Sequence, residues 1–260
     1  LTAGTPLLHL TGQIETPYLD RDLSYTHEAP AQLAMLQAVS KAAYRVASAS
    51  TALTVVREAV RVALTAPAGP VSVELPIDIQ ATEIDWPVDV APARIQTWLV
   101  DNDRVLQLAE LLVKARRPLL WLGGGVRAAG EAVGRLLALG FGVVTSVQGR
   151  GVVAEDHPQS LGAFNVHPAV ERFYQHCDAL LVVGSRLRGN ETLTYRLALP
   201  QPLYRIDANP LADQRGYPNA MFLQGDASDV LPRQADALQE IGRGAWRGRG
   251  EISVAGGAVK

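Results

Sequence analysis

Between Pro118 and Gly225 the sequence passes five times through a short, nearly all-apolar run: "LLWL", "GVVTS", "DALLVVG", "PLYRID" and "MFLQG". Runs of this kind, without polar alternation, read as strands buried on both faces. Helical patterns stand among them, in "AAGEAVGRLLAL", "PAVERFYQHC" and "ASDVLPRQADALQEI". Strands of this kind are buried twice by a parallel sheet with helices on both of its faces. Parallel neighbours cannot be joined by a tight hairpin, and the intervening segments are long enough to cross over. The spacing therefore predicts an α/β domain with a parallel sheet over residues 102–241. Its first helix, capped by Asp101 or Asp103, carries Val105, Leu108, Ala109 and Leu112 on one face. Arg116 and Arg117 fall in the expected last turn, and Pro118 stops it.

Upstream the pattern is thinner. "PLLHL" and "PVSVELP" read as strands, and "AQLAMLQAV" and "STALTVVREAVRVALT" as helices. The second helix places Leu53, Val56, Val60, Ala63 and Leu64 on one face, with Ser50 or Thr51 as cap. Two strands are too few for an independent core. Residues 1–82 therefore read as a partial α/β domain, completed by a preceding segment or by another chain. Residues 83–101 carry prolines and scattered charges without a period and read as a linker, with Trp86 and Trp98 pinning it to a surface. Residues 242–260, rich in glycine and basic residues, read as a tail.

Composition narrows the function classes. With 48% hydrophobic and 19% charged residues the chain is globular, and a net charge of −2 argues against a dedicated nucleic-acid or anionic-membrane surface. No apolar run reaches the ~18 residues of a transmembrane helix. A single cysteine, Cys177, forms no internal disulfide, reads as a core residue and fits a reducing, cytoplasmic compartment. His157, His167 and His176 show no metal-ligand spacing, so no metal site is expected. No nucleophile-elbow sequence is present.

In an open parallel sheet, ligands bind beyond the carboxyl ends of the strands, where strand order reverses. Here each strand ends in permissive or polar residues: Gly123, Gly124 and Gly125; Thr145 and Ser146, with Gln148 nearby; Gly184, Ser185 and Arg186; Asp207 with Asn209; Gly225 and Asp226. Helix starts near such edges favour anions, an aspartate there suits a ribose hydroxyl, and an arginine neutralises a phosphate. The glycine triplet fits neither the dinucleotide nor the P-loop fingerprint and serves tight packing equally well. In the first third, His27 and Glu28 stand as neighbours in a loop, open to acid–base work or to a solvated role. His9, inside an apolar strand, reads as a packed core or interface histidine.

These residues resemble a known family. "PLLHLTGQ", "THEAPAQLAMLQAVSKAAYRV" and "PAGPVSVELPIDIQ" are similar to the latter half of the pyrimidine-binding domain of thiamine-diphosphate enzymes, acetolactate-synthase-like above all. "ARRPLLWLGGGV", "GRGVVAEDHPQSLG", "CDALLVVGSRL", "YRIDANP" and "GDASDVL" are similar to that group's central domain. The resemblance runs in one order from Thr5 to Ile241. It implies a central domain of the sirtuin and deoxyhypusine synthase type of nucleotide-binding fold, which holds FAD structurally in acetolactate synthases and ADP in some relatives. The positions implied for it are Gly123, Gly124, Gly125, Thr145, Ser146, Gln148, Gly184, Arg186 and Asp207, with Gly225 and Asp226 on the same rim. Gln13, His27 and Glu28 would line the thiamine cleft. "LRGNET" after Arg186 departs from the phenylalanine and Asp-Arg pattern usual there, and Thr26-His27-Glu28 replaces Phe-Gln-Glu.

The resemblance further implies thiamine diphosphate and Mg²⁺ in an intact parent, a small 2-oxo acid as substrate, and a homodimer or homotetramer without nucleic-acid or membrane partners. The family's activating glutamate and its Gly-Asp-Gly metal motif have no counterpart in these residues. The expectation is a fragment of a 2-oxo-acid carboligase or decarboxylase, inactive alone. The alternatives are a non-catalytic FAD- or ADP-binding or regulatory module, and a dinucleotide enzyme of the sirtuin-like fold. The latter would need zinc cysteines that are absent from the chain.

Overall fold

The computed structural model describes residues 3–86, 91–95 and 97–245. The chain divides into two compact units, Leu1–Thr97 and Trp98–Lys260.

In the first unit, β1 (Leu7–Gln13), β2 (Ala42–Arg45) and β3 (Pro70–Pro76) form a parallel sheet in the order β1-β3-β2. α1 (Gln32–Val39), α2 (Ala52–Leu64) and the single turn α3 (Ile77–Gln80) complete it. The pattern predicts two strands here and the structure holds three. Val71 and Val73 of the central strand face Ala59 and Ala63 of α2 in a small apolar cluster. The buried face of α2 is thus Ala59 and Ala63, with Ala52, Val55 and Val62 packed beside it. Of the predicted stripe, Ala63 is buried as expected, Leu53, Val56 and Val60 are only half-buried, and Leu64 is exposed. The alanines let the helix close on the two valines of β3. The sheet's other face is polar at its centre. Register sets His9 opposite Ser72, and Thr11 opposite Glu74 and then Arg45. Leu7 and Leu10 of β1 and Met35 and Val39 of α1 remain more than half exposed.

The second unit is the predicted doubly covered sheet. Its strands β4 (Pro118–Leu122), β5 (Gly142–Thr145), β6 (Ala179–Val183), β7 (Leu203–Asp207) and β8 (Met221–Gln224) are all parallel in the order β5-β4-β6-β7-β8. Alternate residues feed two cores. Leu120, Leu122, Leu181 and Val183 pack under α4 (Asn102–Leu112), α5 (Gly130–Ala138) and α7 (Ala227–Ala245). Leu119, Trp121, Leu180 and Val182 pack on the opposite face with α6 (Pro168–Tyr174) and the loop following β6.

Details differ from the sequence reading. Asp101 caps α4 through the Asp103 N–H at 3.0 Å, but the helix ends at Leu112. Arg116 and Arg117 lie beyond it, their backbone N–H groups held by the Asp178 carboxylate at 2.7 and 2.8 Å. α7 continues past Ile241 to Ala245, and residues 246–260, the rest of the segment read as a tail, lie outside the described residues. Trp86, expected to rest on a surface, is 85% exposed. His9 is exposed rather than packed, its Nδ1 3.2 Å from the Ser72 hydroxyl. Cys177 is half-buried against the second core, and burial pushes its thiol up to about 12.

Candidate functional site at the carboxyl edge of the parallel sheet

β4 connects to β5 on one side, while β6 lies on the other side of β4, so strand order reverses between β4 and β6. The loops after these two strands meet there. Gly123 N–H donates to Val183 O at 2.9 Å, and Gly125 N–H to Gly184 O at 3.1 Å. A Cβ on Gly123 would lie 2.1 Å from Gly184 O, and one on Gly184, at φ +55°, 2.6 Å from the Gly125 Cα. Gly149 is as confined, with Leu122 O 2.2 Å from a Cβ position. These glycines bring backbone against backbone. Gly124 differs, since a Cβ there would lie 3.3 Å from the Gln148 Cβ and 3.5 Å from its backbone oxygen.

The other rim residues divide by what they touch. Thr145 is buried and its N–H donates to Gly162 O at 2.9 Å. Ser146 is buried, its hydroxyl accepting the Gly149 N–H at 3.1 Å. Gln148 is exposed and accepts from Arg127 Nη2 through its backbone and side-chain oxygens, at 3.1 and 3.3 Å. Gly225 faces the core, where a Cβ would come within 2.3 Å of Val100 Cγ2. Asp226 begins α7, its Oδ1 accepting from Ser228 N–H at 2.8 Å and Ser228 Oγ–H at 2.6 Å.

Arg186 and Asp207 stand in a different electrostatic setting. Asp207 ends β7, and its Oδ1 accepts the Asn209 N–H at 2.8 Å. Burial raises its carboxyl above the ordinary range, against that hydrogen bond and the charges of Arg205, Arg186 and Arg215. Burial also lowers the Arg186 guanidinium, as do the like charges of Arg188 and Arg215, with Asp207 opposing. One carboxyl with a raised pKa and three arginines within each other's field thus share the edge of β6 and β7. Chemically, guanidinium groups can neutralise an anion, and a carboxylate can accept from hydroxyl or amino groups.

Three residues of this region escape sequence reasoning. Arg205 is fully buried within β7, and its Nη1 donates to the backbone oxygens of Ala212 and Arg215, holding the segment Pro210–Gln214 against the sheet. Glu191, also buried, accepts the Val147 N–H at 3.2 Å and ties the loop after β6 to the loop after β5. Arg188 stands within the departure "LRGNET", which was the available signal.

In the first unit, Gln13 ends β1, buried, its Oε1 accepting the Ile14 N–H at 2.9 Å. His27 has a left-handed backbone at φ +66°. The Glu28 carboxylate is engaged by the loop itself, accepting from Leu23 N–H at 3.3 Å and Tyr25 N–H at 2.9 Å. Arg45 pairs with Glu74 in the sheet and with Asp20 in this loop, and Gln32 Nε2 donates to Glu74 Oε2 at 3.2 Å. The loop is thereby pinned to β2. Among the described residues no group of three or more His, Cys, Asp or Glu side chains lies together as a metal site, and no helix is long and apolar enough to cross a membrane.

Comparison with known proteins places these features. Residues 105–233 match the family described as thiamine pyrophosphate enzyme, central domain. A probable 2-ketoarginine decarboxylase of Pseudomonas aeruginosa is 36% identical over 62% of this chain and 29% of its own length. A probable acetolactate synthase large subunit of Methanocaldococcus jannaschii is 28% identical over 88% of this chain and 40% of its own length. A crystal structure described as a putative thiamin diphosphate-dependent enzyme from Mycobacterium smegmatis, 25% identical, superposes with a TM-score of 0.73 over 96% of this chain and 48% of its own. The chain thus spans less than half the length of each of these relatives.

Proposed function

Because the chain belongs to the thiamine-diphosphate-dependent, acetolactate-synthase-like family, we propose that it forms part of a carboligase or decarboxylase acting on a small 2-oxo acid. In that reading its second unit, a nucleotide-binding fold of the sirtuin and deoxyhypusine synthase type, holds an FAD or ADP-like ligand as a structural group. Thiamine diphosphate, where bound, supplies the electron sink for losing CO₂ from a 2-oxo acid. The described residues do not fit its metal, since no acidic cluster stands among them. No step on that cofactor is assigned to this chain.

For the nucleotide the donor set fits. The observation that carries the reading is the edge of β6 and β7, where Arg186, Arg205 and Arg215 act on the Asp207 carboxyl, which burial has raised, and Arg188 acts in turn on Arg186. Phosphate oxygens would take the arginines, and Asp207 would accept from a ribose hydroxyl. Gly123, Gly125 and Gly184 would set the shape of the edge rather than touch the ligand, because each is already filled by backbone.

Calorimetric titration of the chain with ADP and with FAD, at low and moderate salt, tests the nucleotide reading. The expected result is saturable binding that weakens as salt rises and is lost in Arg186→Ala. A flat titration with both ligands overturns it. A parallel assay of CO₂ release from pyruvate and 2-ketoarginine, with thiamine diphosphate and Mg²⁺, is expected to show no turnover by this chain alone. Turnover would overturn the proposed division of labour.

A further inference from the structure

The loop after β6 carries three consecutive residues in the left-handed region, Leu193 at φ +50°, Thr194 at +58° and Tyr195 at +63°. None is glycine or asparagine, so each opposes the preference of an L-residue and must be held by its surroundings. The hold is visible. Thr194 N–H donates to Gly189 O at 2.6 Å, and Arg196 and Leu197 N–H both reach Thr192 O at 3.0 Å. The Thr192 hydroxyl accepts the Tyr195 N–H at 3.3 Å, and Tyr217 Oη–H donates to Leu197 O at 3.0 Å.

What the strain delivers is the position of one ring. A Cβ on Gly189 would lie 3.4 Å from Tyr195 Cε2, and one on Gly216, at φ +73°, 3.0 Å from Tyr195 Cδ1. The ring therefore spans two glycines from two different loops. Those glycines directly follow Arg188 and Arg215, two of the three arginines of the rim. Tyr195 remains 52% exposed. A planar, half-open ring seated against two glycines, each next in sequence to an arginine of the rim, can stack a heterocycle while phosphates are neutralised beside it.

We propose that Tyr195 is the stacking platform for the planar ring of the nucleotide bound at this edge. This rests on the nucleotide reading given above and adds to it the residue that recognises the base. The left-handed turn at 193–195 presents the ring, and the two glycines give it a seat that a side chain would crowd. Recognition through a ring face accepts purines and flavin alike, since each has an aromatic face.

Titrations with ADP and with inorganic diphosphate, which has phosphates but no ring, separate the possibilities. In the wild-type chain ADP should bind more tightly than diphosphate. Tyr195→Phe should bind ADP within about twofold of wild type, whereas Tyr195→Ala and the bulky, non-aromatic Tyr195→Leu should weaken it roughly 5- to 100-fold. All three variants should bind diphosphate as wild type does, which also shows that the edge is intact. Unchanged ADP binding in Tyr195→Ala and Tyr195→Leu overturns the platform and leaves the nucleotide site standing. An equal loss of ADP and diphosphate overturns it too, by assigning Tyr195 to the shape of the loop. Failure of the wild-type chain to bind ADP at all sinks the nucleotide reading itself.

Discussion

Replacing Gly123 by alanine tests whether the glycines at the β4 edge exist for packing. The backbone at Gly123, φ −98° and ψ −170°, suits alanine, so the substitution carries no conformational strain of its own. Its whole effect is steric. The added methyl would stand 2.1 Å from Gly184 O and 2.5 Å from Ser185 Cα, where ordinary contact begins near 3.4 Å. The two loops must part by more than about 1 Å, and neither is free to move, because Gly123 N–H to Val183 O and Gly125 N–H to Gly184 O join them. Overpacking of this kind costs about 1–3 kcal/mol. Weakening two hydrogen bonds adds about 0.5–1.5 kcal/mol each, for a total between about 2 and 6 kcal/mol.

The control lies one residue away. A methyl on Gly124 meets the Gln148 Cβ at 3.3 Å and its backbone oxygen at 3.5 Å, near ordinary contact, so a shift of a few tenths of an ångström accommodates it. Gly124→Ala should therefore stay within about 1 kcal/mol of wild type. Thermal unfolding followed by circular dichroism should show a fall of roughly 4–24 °C for Gly123→Ala, from about 2–4 °C per kcal/mol in a unit of this size. Hydrogen exchange at the Gly125 amide should accelerate in the same variant alone. Equal melting of the two variants would refute the reasoning, since neither glycine has a positive φ and their contacts are what differ.

Two further outcomes follow from charges. Burial raises the Asp207 carboxyl, so the unfolded chain ionises first as pH climbs through about 3.9, and the folded chain loses stability until its own carboxyl has ionised. Asp207→Asn should accordingly be more stable than wild type at pH 7, with the difference vanishing below pH ~3.9; equal stability at both pH values in urea titrations would contradict the burial argument. In the first unit, Arg45→Met leaves the buried Glu74 carboxylate without its cation and should cost about 3–5 kcal/mol. Adding Glu74→Gln should recover most of that loss, and a double variant as unstable as the single one would show that the pairing is not the cause.

The second sheet was legible because its strands are buried on both faces, which leaves nearly unbroken apolar runs in the sequence. β2 was not, because "AAYR" is four residues long, half alanine, and half-buried throughout. The buried face of α2 was legible only in part, through Ala63 and not Ala59, for a related reason. Apolar residues surround much of that helix, and the small ones, Ala59 and Ala63, take the close approach to Val71 and Val73. At the rim, sequence gave the address of each residue but not its occupation. Asp226 looks like Asp207 in a string of letters. Yet one starts a helix and binds Ser228, whereas the other is half-buried in the field of three arginines. The left-handed turn at Leu193–Thr194–Tyr195 left no sign at all, since none of these residue types favours that conformation.

That turn, the raised carboxyl of Asp207 and the mutual repulsion around Arg186 have one property in common. Each is a cost to the folded state, the turn alone about 1–2 kcal/mol per residue, and none is required to close the sheet. Packing explains the glycines fully: take away any ligand and Gly123, Gly125 and Gly184 would still be needed where they are. Packing does not explain Arg186, Arg205 and Arg215 acting on one half-buried carboxyl, nor a tyrosine held half-open against two glycines. Local choices that conflict with stability, gathered on one edge of an otherwise consistent fold, are the signature of a site kept for something other than folding. The glycine-rich motif marks this edge for a reason unconnected with binding, and the chemistry proposed for it would belong to the two loops beside it.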